Sequence, residues 1–112
     1  MAARAIAQTS GPDDPLFHTT RRRGIGGSEA AVAAGLDDQY DSRWTLWRSK
    51  RGDIPPDPDT EAAYWGRALE PVIAARYSEA HPERMILNPR RIYAHPDHPW
   101  ALASVDRLTL IA

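Results

Sequence analysis

Three short segments carry residue types and spacings that could do chemistry. In Arg21-Arg22-Arg23-Gly24-Ile25-Gly26-Gly27-Ser28-Glu29, three guanidiniums precede a glycine-rich turn that leads into a helix start. Glycines let an anion approach backbone N–H groups, an Arg fork matches phosphate oxygens, and the Ser28 hydroxyl adds a donor. No Gly-Lys-Ser/Thr follows, so this is not a nucleotide P-loop. A flexible turn with solvated arginines and a capping serine fits the same residues. In Trp65-Gly66-Arg67-Ala68-Leu69-Glu70-Pro71, Glu70 shares a helix face with Ala63, Gly66 and Ala74, small residues that leave room for an ion or a backbone. A plain surface carboxylate is the other reading. In Ala103-Ser104-Val105-Asp106-Arg107-Leu108, a strand of small and apolar residues reaches an aspartate. That placement suits a hard divalent cation, and equally a turn between two strands. His95-Pro96-Asp97-His98-Pro99 resembles a metal cluster, but its prolines prevent a helix from aligning the imidazoles, and it reads as a turn.

The elements that would position these residues follow from local signals. Residues 1–19, with Gly11, Pro12, Asp13, Asp14 and Pro15, read as a flexible leader with a turn. A short helix is expected from Ser28 to Gly35, and a second over 43–51, capped by Asp41 or Ser42 and closed by Gly52. Residues 53–59, rich in proline, form a loop. A long helix spans 60–79, with Trp65, Leu69, Val72, Ile73 and Tyr77 as a stripe against the core and a kink or break at Pro71. Beyond Pro82 come short β-like runs at 85–87, 91–94, 100–103 and 108–111. The expected class is α+β, with N-terminal helices packed on a small, mainly antiparallel sheet arranged as a meander of at least three strands.

The 112 residues fit one small domain. Cysteine is absent, which excludes disulfides and thiolate metal sites. No apolar run approaches the roughly 20 residues of a membrane span, and the N-terminus lacks the apolar core of a signal peptide. A cytoplasmic location without a membrane partner is the expectation. Fourteen basic against fifteen acidic residues leave a net charge of −1, so an anion site has to be local. Lys50 is the single lysine, which limits any mechanism that needs one.

Taken in order, Arg21-x-x-Gly-Ile-Gly-Gly-Ser28, Leu46-Trp47 with Lys50, Trp65-Gly66 with Leu69-Glu70-Pro71, and Ser104-x-Asp106 resemble the YqaJ-like viral recombinase family. This is the group that contains phage lambda exonuclease, within the PD-(D/E)xK nuclease superfamily. The resemblance covers about residues 20–112, a partial nuclease domain by this reading. It implies that Arg21, Ser28 and Ser104 contact a DNA 5′-phosphate, and that Glu70 and Asp106 are catalytic carboxylates that converge on Mg²⁺ or Mn²⁺. It also implies hydrolysis of one strand of duplex DNA from its 5′ end, a homo-oligomer and a single-strand annealing partner.

Two departures accompany the match. Arg107 stands where the family has a turn glycine. The family's Glu-x-Lys, on the strand after the aspartate, does not occur among residues 107–112. The sequence therefore reads as a partial phage-type exonuclease, inactive as an isolated chain. The alternative is a non-catalytic DNA-binding or subunit-interaction remnant.

Overall fold

A computed structural model describes residues 2–36 and 42–111. The chain forms two compact units, Met1–Pro56 with Arg90–Ser104, and Asp57–Pro89 with Val105–Ala112. Helices and small antiparallel sheets make it an α+β protein.

The first unit is built on a three-stranded sheet of order β1 (Arg4–Gln8), β3 (Arg91–Ala94), β4 (Leu102–Ser104). Both pairings are antiparallel, with a bulge in β1 between Ala5 and Ala7. Strand alternation puts Ile92 and Ala94 on one face, where they bury together with Leu102. Ile6 and Phe17 pack against this cluster. Ile92, 1% exposed, is worth roughly 1.5–3 kcal/mol of apolar burial.

Helix α1 (Pro15–Arg21) supplies Phe17. Asp14 caps α1, accepting from the Leu16 and Ser10 backbone N–H groups, which hold its carboxyl below the usual carboxylate range. The leader reading of residues 1–19 is thus corrected: its turn separates a strand from a helix. The strand was hidden because its only bulky apolar residue is Ile6, and its stability comes from pairing with β3.

A 3₁₀ turn (Gly27–Glu29) leads into α2 (Ala30–Ala33), and Gly35 adopts the left-handed conformation expected of a helix stop. Helix α3 (Arg43–Arg51) is capped by Ser42, whose Oγ accepts from the Thr45 N–H at 3.2 Å. Gly52, at φ +82°, ends it. Asp41, the other expected cap, lies outside the described residues.

The second unit joins α4 (Glu61–Ala80) to a two-stranded antiparallel sheet of β2 (Arg84–Leu87) and β5 (Leu108–Ile111). Two expectations are corrected here. Helix α4 continues through Pro71 without the break that is one of the two expected alternatives, since the ring removes one N–H but its φ is that of a helix. The strands do not form a meander, since β2 pairs with β5 and only β3 with β4 form a hairpin. Pro89, followed by Arg90 at φ +49°, turns the chain between β2 and β3.

The α4 stripe is also not buried, with Trp65, Leu69, Val72 and Ile73 all about half exposed or more. The reason is size. A 20-residue helix is about 30 Å long, whereas a four-residue strand covers about 13 Å.

Candidate functional site

The glycine-rich turn is held against β4. Ile25 forms a parallel bridge with Ala101: the Ile25 N–H donates to the Trp100 carbonyl at 2.7 Å, and the Leu102 N–H donates to the Ile25 carbonyl at 2.9 Å. Gly24 permits this approach, because a Cβ there would lie 2.2 Å from the Trp100 oxygen.

Arg21, at the end of α1, faces inward from this turn. Its Nη2 donates to Glu29 Oε1 at 2.8 Å, and the Gly26 N–H donates to the same oxygen at 3.2 Å. Lys50, from α3, pairs with Glu29 Oε2 and donates to the Arg21 carbonyl at 2.8 Å. Glu29 is 16% exposed, Lys50 17% and Arg21 31%. The cation-rich pocket expected from sequence therefore already holds an internal carboxylate. Two cations and one anion leave it one positive charge, and only one of the five Arg21 donors is used by Glu29.

Ser28 is exposed on the 3₁₀ turn, and Ser104 is exposed at the end of β4. All three expected phosphate contacts belong to the first unit, but Arg21 is partnered by Glu29 and the Phe17 ring rather than by either serine. The first unit also holds an open pocket of about 390 Å³, in which Arg22, Arg23, Arg43 and Lys50 surround apolar Ile25, Leu46 and Trp47, and none of the three expected phosphate contacts lines it.

Glu70 and Asp106 belong to the second unit and line one pocket of about 340 Å³, with Gly66 and Ala74 also in its wall. Of the small residues on that face of α4, Gly66 and Ala74 line the cavity and Ala63 does not. Arg107 enters the same pocket. Its Nη1 donates to Glu70 Oε1 at 2.8 Å and to the Asp106 carbonyl at 2.7 Å. The backbone at Arg107 needs no glycine, because Arg90 is the one non-glycine residue with positive φ among those described.

Two carboxylates suit Mg²⁺ or Mn²⁺, cations that take hard oxygen ligands and complete their shells with water or phosphate oxygens. Among the described residues no cluster of three or more His, Cys, Asp or Glu converges. Carboxylates are the donor type such a cation takes, but the Arg107 guanidinium holds one oxygen of Glu70.

The sequence does not announce Glu29 as a hub, nor the pairing of Lys50 with Glu29 or of Arg107 with Glu70. For Glu29 a local signal exists: it stands three residues after Gly26, the spacing at which a glutamate reaches back to the N–H at a helix start. The His95 segment is a turn, as expected, in which His95 Nδ1 accepts from the Asp97 and His98 N–H groups at 3.1 Å. No helix among the described residues is long and apolar enough to cross a membrane.

Comparison with known proteins adds ancestry to this geometry. A protein of Bacillus subtilis strain 168 described as "Uncharacterized protein YqaJ" is 33% identical over 107 residues. The match covers 95% of this chain and 33% of that relative, so the chain spans about a third of the relative's length. No solved structure matches. The family description that matches is the YqaJ-like viral recombinase domain, over residues 16–110. That span takes in the Arg21 turn, Glu70 and Asp106, and the chain belongs to the YqaJ-like viral recombinase domain family.

Proposed function

We propose that this chain is part of a divalent-metal-dependent DNA exonuclease of the phage recombination type, acting at the 5′ end of duplex DNA. The observation that carries the reading is the meeting of Glu70 and Asp106, distant in sequence, on one pocket. These two carboxylates would hold Mg²⁺ or Mn²⁺, which when bound supplies Lewis-acid activation of a phosphate and of water. The chain's own residues bind and orient. Arg21, set by Glu29, offers its remaining N–H groups to a terminal phosphate, and the Ser28 and Ser104 hydroxyls add donors.

Hydrolysis needs a completed metal shell and a placed water, and residues 107–112 carry no Glu-x-Lys. The reading therefore gives the 112 residues the tasks of holding metal and DNA ends, without strand degradation by these residues alone. A ring-forming copy of the chain and a single-strand annealing protein are further partners on the family reading.

Arg107 favours a second reading. A guanidinium on Glu70 already neutralises that carboxylate, which suits a DNA-binding remnant that takes no metal.

The test compares binding of 5′-phosphorylated and 5′-hydroxyl duplex ends by wild type, Arg21→Ala, Ser28→Ala and Asp106→Ala, with and without Mn²⁺. The expected outcome is a preference for the phosphorylated end that Arg21→Ala removes, Mn²⁺ binding that Asp106→Ala removes, and no degradation. Equal loss for both ends in Arg21→Ala would reduce Arg21 to general backbone charge. Robust, Asp106-dependent degradation would show that these residues complete a catalytic site.

A further inference from the structure

Helix α3 presents two stripes that meet at Trp47, which lines one pocket with Leu46 and Lys50. Leu46 is buried on one, and Lys50 reaches Glu29 and the Arg21 carbonyl. The other is formed by positions 44, 47, 48 and 51, which share one helical stripe and read Trp, Trp, Arg, Arg. Trp44 is 64% exposed and Trp47 48%. Their rings stack, with centroids 5.2 Å apart and planes inclined by 30°. One turn along the helix, the Arg48 guanidinium lies 5.9 Å from the Trp44 centroid and that of Arg51 lies 4.6 Å from Trp47. No acidic residue occurs in α3, although the whole chain is slightly acidic. Trp47 also borders the pocket that Arg22, Arg23 and Arg43 line.

From this stripe we infer that α3 is a platform for single-stranded nucleic acid, distinct from the end-binding residues and from the Glu70 pocket. Indole faces supply stacking surface for unpaired bases, while arginines on the same stripe neutralise the connecting phosphates. A duplex cannot use such a surface well, because its base faces are covered by their neighbours. Arg51 has an ion pair with Asp53 at 3.4 Å, and it is the Arg48 guanidinium that an apolar protein partner would cover without counter-charge. The inference stands apart from the proposed function: it needs neither a terminal phosphate nor a metal.

The experiment uses the 112-residue chain with chelator present and a labelled 5′-hydroxyl oligothymidylate of about 12 nucleotides, read by anisotropy. A 5′-hydroxyl hairpin duplex serves as competitor. Base–aromatic stacking corresponds to a loss of about fivefold or more for each of Trp44→Ala and Trp47→Ala. Trp47→Phe should keep most of the affinity, and Arg48→Ala or Arg51→Ala should each lower the salt slope by about one. Both indoles are exposed, so circular dichroism of the variants should match wild type, and a variant that keeps the fold isolates the stacking. Unchanged affinity in Trp44→Ala and Trp47→Ala, or a duplex that competes as well as the single strand, would overturn the inference. So would loss of self-association in the double Ala variant with nucleic-acid binding intact, which would assign the face to a second copy of the chain.

Discussion

Arg107 and a divalent cation compete for the same carboxylate. The guanidinium already donates to Glu70 Oε1, so a metal that takes this oxygen must displace it. Glu70 is 34% exposed, and the pair is worth only about 1 kcal/mol after solvent screening. Arg107→Gly should accordingly bind Mn²⁺ about fivefold more tightly by calorimetry; equal or weaker binding would show that the two cations do not compete.

Glu29 makes the opposite case, an anion whose removal strands two cations. Glu29→Ala should destabilise the chain by about 1–3 kcal/mol, seen as a lower urea midpoint at unchanged slope, with Glu29→Gln losing less. Sequence reading could flag Arg21, Glu70 and Asp106 by type and neighbours. It could not find their partners, because Arg107 and Glu70 are 37 positions apart and Lys50 and Arg21 are 29 apart. Such pairs are products of tertiary folding, with no local period to announce them.

At the scale of elements, legibility tracks how local the stabilising interaction is. The limits of α3 were readable because Ser42 and Gly52 act within one turn of the residues they cap. The positions of β2, β3 and β5 were readable from short apolar runs. Their partners were not, because pairing between strands depends on the path of the chain between them. Strand β1 was missed for the same reason, having little intrinsic apolar pattern and depending on β3.

Gly24 offers a direct test of an element junction. Gly24→Ala puts a methyl into the Trp100 carbonyl and disturbs the two hydrogen bonds that fasten the turn to β4. A loss of about 1–3 kcal/mol is expected by thermal or chemical unfolding. Gly27→Ala is the control, since a Cβ there meets nothing within 4 Å, and it should be close to neutral.

Across the whole molecule, apolar burial is divided unequally between the two units. Val32, Leu46, Ile92, Ala94 and Leu102 are the buried hydrophobic residues among those described, and every one belongs to the first unit. The second unit has a helix without a buried residue and a two-stranded sheet whose β5 is exposed at all four positions. Two strands alone are marginal in water, and local stability follows buried contact. Hydrogen exchange should therefore proceed faster in residues 61–80 than in 91–104, because the second unit opens without unfolding the first. Metal binding adds a sharper expectation. A cation held jointly by Glu70 and Asp106 ties α4 to the segment leading into β5, both within the second unit. Mn²⁺ should then slow exchange in 61–80 and 105–111 while leaving 91–104 unchanged, and Asp106→Ala should abolish the slowing. Uniform exchange across both units would refute the unequal division of stability. Slowing that persists in Asp106→Ala would place the cation elsewhere.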